Sequence, residues 1–140
     1  SYKYARRQWE LVDNVDYFYH GWGEIDRAML DLMKSVPNYN ETPIYQLWDK
    51  EGDQVLAYQR HDLVFVFNFN INQSFNDYGI LADAGSYKVV LNSDNPTFAG
   101  NGLIDESVEH FTQPAEDGTF GKEWLKLYIP ACSAFVLKKQ

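Results

Sequence analysis

The hydrophobic residues of the chain are densest in the stretch LVFVFNFN, which begins at Leu63. Successive side chains of a β-strand point to opposite faces, so Leu63, Phe65 and Phe67 share one face. Val64 and Val66 share the other. A strand with one face in water alternates apolar with polar residues, whereas both faces of this one are apolar. The pattern therefore predicts a buried strand that needs cover on two sides.

Helical spacing appears only near the start of the chain. Apolar residues recur three to four positions apart after Ser1, which is suited to an N-cap, and predict a first short helix. The segment EIDRAMLDLMKS predicts a second helix that ends before Pro37. Its apolar stripe consists of Ile25, Met29, Leu32 and Met33.

From residue 38 the apolar period changes to two, and turn residues separate short segments. Gly52 marks a first hairpin turn, at a position expected to need a positive φ. Residues 83–85 and 130–132 are read as two further hairpin turns. Short strands at close intervals predict an antiparallel β-sandwich. The predicted strands are Ile44–Asp49, Val55–Arg60, Leu63–Asn70, Tyr78–Leu81, Tyr87–Leu91, Val108–Thr112, Trp124–Ile129 and Ala134–Leu137.

Composition and charge narrow the possible partners. With 140 residues, of which 45% are hydrophobic and 16% aromatic, the chain has the size and core of one ordinary domain. A net charge of −8 repels phosphate backbones and anionic lipid, so we expect neither nucleic acid nor a membrane surface as a partner. Neutral ligands remain possible. We also expect no membrane span, because no apolar run approaches the roughly 18 residues that one needs.

The residues that usually carry chemistry show no catalytic pattern. The histidines are dispersed and Cys132 reads as a small buried residue, so we expect no metal site, no cofactor and no nucleophile. Acidic residues are frequent in the Asn- and Gly-rich segments, where they start turns and solvate loops more often than they flank a glycosidic bond. The histidines and acidic residues in question are His20, His61, His110, Asp94, Asp105, Glu106 and Asp117.

Aromatic side chains offer one candidate binding function. Trp and Tyr rings stack on the apolar faces of sugar rings, and neighbouring Asn and Asp side chains bind hydroxyl groups. Filling the core of a small sandwich is the commoner role for any single aromatic residue. The candidates for glycan contact are Trp48, Tyr58, Phe98 and Trp124.

Several motifs together resemble one family. The segments SYKYARRQWELVDN, EIDRAM, QVLAYQRHDLVFVFNFN, DYGI, GSYKVVLNSD, FAGNGLID and LYIPACSAFVLKK occur in that order over nearly the whole chain. In order and spacing they resemble the carboxyl-terminal part of 1,4-α-glucan (glycogen) branching enzymes of the α-amylase superfamily. The resemblance implies a mainly β fold, an antiparallel Greek-key sandwich preceded by two short helices from the end of a (β/α)₈ barrel.

The resemblance also implies different roles for the two parts of the chain. Residues 1–37 would close the catalytic barrel, and residues 38–140 would form the carboxyl-terminal β-sandwich domain. The catalytic carboxylates would all precede Ser1, so the chain itself would be inactive. Its partners would be the catalytic barrel of the same protein and, for the whole enzyme, an α-glucan such as glycogen or amylose in the cytoplasm.

Two other functions fit the same residues, the carboxyl-terminal domain of an α-amylase-type glycoside hydrolase and a stand-alone carbohydrate-binding sandwich. The helical start argues against the stand-alone module, which has no use for it. The family assignment also suggests an answer for the strand at Leu63, with the second sheet covering one face and the helical segment shielding the other. The alternative is that the sandwich alone covers both faces of this strand.

Overall fold

The computed structural model describes residues 21–98, 100–116 and 121–140, with the backbone alone for residues 21–26. Helix α1 spans Gly21–Lys34. In the described part of the chain after it there are nine strands and two short 3₁₀ turns, Tyr39–Glu41 and Pro96–Phe98. The strands are β1 (Ile44–Lys50), β2 (Val55–Arg60), β3 (Leu63–Asn68), β4 (Phe75–Asp83), β5 (Ser86–Asn92), β6 (Glu109–Phe111), β7 (Gln113–Pro114), β8 (Lys122–Ile129) and β9 (Ser133–Lys139). The predicted first helix lies outside the described residues.

The strands form two sheets, which confirms the predicted sandwich. The larger sheet has the order β1-β2-β3-β9-β5-β6, and the smaller has the order β4-β8-β7. Each pairing among the described strands is antiparallel. An inner cluster of apolar side chains fills the space between the sheets, with Val64 and Val66 from β3 facing Ile80 from β4 and Leu125 from β8.

The other face of the larger sheet is covered by α1 and the residues after it. Met29 on α1 and Val36 just beyond it are buried against Leu63, Phe65 and Phe67 of β3. This outer cluster is distinct from the inner one. Every residue of β3 is buried, so the two-sided pattern of LVFVFN is confirmed, and the helical segment is the cover of its second face.

Two predicted hairpins are wrong. Strands β4 and β5, expected to pair across residues 83–85, belong to different sheets, as do β8 and β9 around residues 130–132. Their inward residues, such as Leu125 and Leu137, meet across the inner cluster instead of side by side in one sheet. The second connection is fixed by Asn68, whose Nδ2 donates to the carbonyl oxygen of Pro130 at 3.0 Å.

The turn between β1 and β2 also differs in detail from its prediction. The left-handed residue is Gln54, with a φ of 59°, and not Gly52. The side chain of Gln54 is exposed, and its carbonyl accepts a hydrogen bond from the backbone N–H of Phe69 at 2.9 Å, which helps to hold the turn. The hairpin itself is confirmed, with Lys50 opposite Val55.

Candidate functional site

An open groove of about 810 Å³ lies where the edge of the larger sheet meets the smaller sheet. Strand β1, at the edge of the larger sheet, contributes Trp48. Strand β4 contributes Tyr78, and the central strand β8 of the smaller sheet contributes Trp124. We call this site the aromatic groove. Its three rings come from positions 48, 78 and 124, which only the folding of both sheets brings together.

The two indole rings of the aromatic groove contact each other edge to face. The ring centroids of Trp48 and Trp124 are 5.8 Å apart, and the ring planes are inclined at 75°. Gly79 makes room for this arrangement, because a Cβ atom there would lie 3.0 Å from Cε3 of Trp124. The absence of a side chain on Gly79 therefore lets the Trp124 indole lie close to the backbone of β4.

A chain of hydrogen bonds fixes the orientation of Trp48. Its indole Nε1 donates to the hydroxyl of Tyr78 at 2.9 Å. That hydroxyl donates to Oδ2 of Asp53 at 2.8 Å, and Lys50 Nζ lies 3.7 Å from the same carboxylate oxygen. Burial raises the pKa of Tyr78 to about 12; the hydrogen bond from Trp48 lowers this pKa and the neighbouring Asp53 raises it. The phenol therefore stays protonated and keeps donating throughout the physiological range.

Both strands that meet at the aromatic groove are irregular there. The pairing of β1 with β2 shifts register between Gln46 and Trp48, and the pairing of β4 with β8 shifts between Phe75 and Tyr78. Asp77, inside the second irregularity, has a φ of 51°. Bulges of this kind turn side chains away from the regular alternation and are frequent next to binding sites. A left-handed non-glycine residue costs on the order of 1 kcal/mol or more.

The rim of the aromatic groove is polar and carries both signs of charge. Asn76 and Asp77 reach it from the irregular part of β4, and Gln113 reaches it from β7. Two further exposed residues of opposite charge, Glu116 and Lys126, also line it. Aromatic walls with a few polar groups at the rim are typical of small-molecule binding sites in general.

The structure separates the four predicted glycan candidates into two places. Trp48 and Trp124 lie together in the aromatic groove. Tyr58 and Phe98 are half-buried and pack against the outer cluster beneath α1. The Tyr58 hydroxyl is buried and has no hydrogen-bond partner among the described residues. The first pair alone therefore shares a surface that a ligand can reach.

Two further residues weighed as candidates, Asp94 and Cys132, do not line the aromatic groove. Asp94 is buried and accepts hydrogen bonds from the backbone N–H groups of Asn101, Leu103 and Ile104, so it organises its loop instead of solvating it. Cys132 is exposed, so the expectation that it is buried is wrong. Asp117 lies outside the described residues.

Among the described residues, no group of three or more His, Cys, Asp or Glu side chains is placed to hold a metal ion. Within the same ranges, no helix combines the length and apolar character that crossing a bilayer requires.

Tyr78 and the irregular segment before it line the groove, although neither is among the candidates predicted from the sequence. Residues 71–77 lie between two predicted strands, where the Asn-rich sequence predicts a loop, whereas β4 begins inside this segment at Phe75. The signal that was available is the motif DYGI, in which a glycine follows a tyrosine within a strand. A glycine inside a strand often marks the close approach of another group, here the Trp124 indole.

Comparison with known families identifies the β-domain. The family described as "Alpha amylase, C-terminal all-beta domain" matches residues 45–140. This range begins at the second residue of β1 and includes the other strands that the structure describes. The match agrees with the sandwich that the structure shows.

Individual relatives extend the similarity over the whole chain. A protein of Candida glabrata named 1,4-alpha-glucan-branching enzyme is 41% identical over 141 residues, covering 100% of this chain and 20% of the relative. A protein of Saccharomyces cerevisiae with the same name is 40% identical over 98% of this chain and 20% of its own length. A chloroplastic/amyloplastic 1,4-alpha-glucan-branching enzyme of Oryza sativa is 37% identical over 81% of this chain. The chain thus spans about a fifth of the length of the curated fungal relatives it matches.

Proposed function

The chain belongs to the family of the alpha-amylase C-terminal all-beta domain, and from this premise we propose that it is the non-catalytic carboxyl-terminal region of a 1,4-α-glucan branching enzyme. The names of the relatives at 37–41% identity support this proposal. The complete enzyme, in the cytoplasm, cuts an α-1,4 bond of glycogen or amylose and joins the cut chain to a 6-hydroxyl group. The chemistry belongs to a catalytic barrel outside these residues.

The proposed role of this region is to stabilise the barrel. The observation that carries it is the packing of α1, which belongs to the proposed barrel-closing segment 1–37, into the outer cluster of the sandwich, residues 38–140. Met29 on the helix side and Leu63 and Phe67 on the sandwich side are almost completely buried in this cluster. Separating the two parts would expose these side chains, at about 25 cal/mol for each Å² of apolar surface.

The last turns of α1 and the residues that follow also offer an exposed surface for the rest of the barrel. Leu30 is 48% exposed, and a second concave surface of about 490 Å³ lies beside it, lined by Met33, Val36 and Tyr39 among others. In this proposal α1 is a shared element, with its inner side built into the sandwich and its outer side facing the preceding barrel. The same packing argues against a stand-alone carbohydrate-binding module, in which α1 would have no such second role.

The experiment is to incubate the full-length protein with amylose and follow iodine absorbance together with reducing ends. Branching breaks one α-1,4 bond and forms one α-1,6 bond, so iodine absorbance falls while the number of reducing ends stays constant. Treatment of the product with a debranching enzyme should then release new reducing ends. A parallel rise in reducing ends without that treatment would instead identify the α-amylase-type hydrolase, and constant iodine absorbance would contradict both assignments.

A further inference from the structure

We propose that Asn101 is a site of spontaneous deamidation and that the loop around Asp94 controls how fast it is modified. Asn101 precedes Gly102, and no other asparagine of the chain is followed by a glycine. Glycine favours this reaction at the preceding asparagine, because it has no side chain to hinder attack by its backbone nitrogen. Asn101 and Gly102 are both exposed, so water reaches the pair. The proposal is independent of the function proposed above.

The reaction needs the chain and water alone. The backbone nitrogen of Gly102 loses its proton to hydroxide and attacks Cγ of Asn101. The C–N bond of the side-chain amide then breaks, and ammonia leaves with a proton taken from water, so that a five-membered cyclic imide remains. One water molecule adds to either carbonyl carbon of the imide and breaks its bond to the Gly102 nitrogen. Attack at Cγ gives aspartate, and attack at the main-chain carbonyl carbon gives isoaspartate.

In the folded loop, Asp94 binds the N–H groups of three consecutive residues. The N–H of Asn101 donates to Oδ1 at 3.1 Å, that of Gly102 to the backbone carbonyl oxygen at 2.7 Å, and that of Leu103 to Oδ2. Asp94 itself is only 7% exposed. The Gly102 nitrogen cannot give its proton to hydroxide while this proton is held by the Asp94 carbonyl. Deamidation therefore requires a local opening of the loop.

Isoaspartate would disrupt the loop that controls its formation. It places one more carbon atom in the main chain between residues 101 and 102, which lengthens the chain there by about 1.5 Å. The N–H groups on both sides of the insertion then cannot keep their present positions around Asp94. The reaction also adds one negative charge to a loop that already contains Asp94, Asp105 and Glu106.

The same loop joins two parts of the hydrophobic core. Phe98 packs against the outer cluster beneath α1, and Ile104 packs against the inner cluster between the sheets. Asn101 lies between these two residues in the chain. We therefore expect the isoaspartate form to exchange backbone hydrogens faster than the unmodified form over residues 93–107.

The first test identifies the site. The full-length protein is incubated at mildly alkaline pH, unfolded in urea, and each asparagine is followed by peptide mass spectrometry, with chromatography to separate aspartate from isoaspartate. Asn101 should be modified first. Asn76, which is also exposed in the folded protein but precedes Asp77, is the control within the same molecule. Modification of Asn76 before Asn101 would overturn the site.

The second test measures control by the loop and needs no variant. Hydrogen exchange of the Gly102 N–H removes the same proton after the same opening, so its protection factor reports how rarely the loop opens. We expect a protection factor above about tenfold. Deamidation of Asn101 should be slower in the folded than in the unfolded protein by at least this factor. A smaller slowing, or an unprotected Gly102 N–H, would overturn control by the loop.

The third test changes the control directly. Asp94→Asn replaces one accepting oxygen with an NH₂ group, which cannot accept a hydrogen bond, and should speed deamidation of Asn101 in the folded protein about fivefold. Asp105→Asn is the matched control in the same loop, because this carboxylate accepts from Ser107. Its rate should stay within about twofold of the wild type. Equal rates in the two folded variants would contradict the role of Asp94.

Asn101→Gln completes the series. Its side chain would have to form a six-membered imide, which closes far more slowly, so no deamidation should appear at this position on the same time scale. If Asp94→Asn does not fold, as judged by near-ultraviolet circular dichroism, the comparison of deamidation with exchange in the wild type decides the proposal. Deamidation of Asn101→Gln at the wild-type rate would overturn attack by the Gly102 nitrogen.

Discussion

Gln59 and Asp83 join the two sheets of the sandwich. The side-chain Nε2 of Gln59, on β2 of the larger sheet, donates to Oδ2 of Asp83, on β4 of the smaller sheet, at 2.8 Å. Lys122 on β8 binds the other carboxylate oxygen, with Nζ 2.5 Å from Oδ1. Asp83 therefore accepts one hydrogen bond from each sheet, and both donors favour the ionised carboxylate.

The first prediction is that ionised Asp83 stabilises the sandwich and that this stability is lost in acid. The hydrogen bond from Lys122, followed in size by that from Gln59, lowers the pKa of Asp83 below its ordinary 3.8. A carboxyl group whose pKa is lower in the folded state than in the unfolded state stabilises the fold at pH values above its unfolded-state pKa. This stability is lost as the pH falls through the folded-state pKa. The side chain is 40% exposed, so the contribution is no more than about 1 kcal/mol.

Urea unfolding between pH 2 and pH 7 checks this prediction. Asp83→Asn should lower the unfolding free energy at pH 7 and leave it nearly unchanged at the acid end. Asp49→Asn, on the exposed part of β1, is the control and should follow the wild type. A wild-type and an Asp83→Asn curve that run parallel over the whole pH range would show that the cross-sheet contact has no such role.

The second prediction concerns the two methionines of α1. Met29 is 5% exposed and lies in the outer cluster, whereas Met33, one turn later, is half-buried at its edge. Hydrogen peroxide should therefore oxidise Met33 first and leave Met29 intact as long as the region is folded. Peptide mass spectrometry over a time course measures both rates. Equal rates for the two residues under native conditions would contradict the packing of α1 on the sheet.

The third prediction concerns two glycines in different surroundings. A Cβ atom at Gly100 would lie 2.1 Å from the carbonyl carbon of Asp94, a backbone atom that cannot turn aside. Gly100→Ala should therefore lower the unfolding free energy by about 3 kcal/mol or more. A Cβ atom added at Gly52 would have no heavy atom within 4 Å, so Gly52→Ala should change the unfolding free energy by no more than about 1 kcal/mol. Urea unfolding compares the two, and similar effects would refute the close approach of the Gly100 loop to Asp94.

The elements of this fold could be read from the sequence because each depends on local pattern. Apolar residues on both faces of the predicted strand Leu63–Asn70 indicated burial from two sides, and the structure confirms it for Leu63–Asn68. The stripe containing Met29 predicted α1. The resemblance to the carboxyl-terminal part of branching enzymes is likewise confirmed by the family match and the relatives.

The pairing of strands could not be read in the same way. A turn at Pro130 shows that the chain changes direction, but the next strand can return beside β8 or cross to the opposite sheet. The crossing is decided by distant contacts, such as the hydrogen bond from Asn68 to the Pro130 carbonyl. Turn chemistry is local, whereas the choice of sheet depends on which apolar faces meet in the core.

The aromatic groove was predictable only in part. The two tryptophans could be named as candidates from their residue type, but nothing local places position 48 beside position 124. Their contact depends on the meeting of two sheets and on the space left by Gly79. The bulge that brings Asn76 and Asp77 to the rim has no clear sequence signal, because a left-handed Asp77 and an ordinary loop residue look the same in sequence.

The central claim is that these residues are a non-catalytic region whose chemistry is performed elsewhere in the protein. Retaining transfer of a glycosyl group needs two carboxyl groups about 5 Å apart, one ionised and one protonated, at a substrate cleft that orients the reacting bond. The most direct measurement is to purify residues 1–140, verify the folded state by near-ultraviolet circular dichroism, and incubate them with amylose. Iodine absorbance and reducing ends should both stay constant over hours. A time-dependent change in either signal, lost on heat denaturation and absent from a mock purification, would contradict the claim.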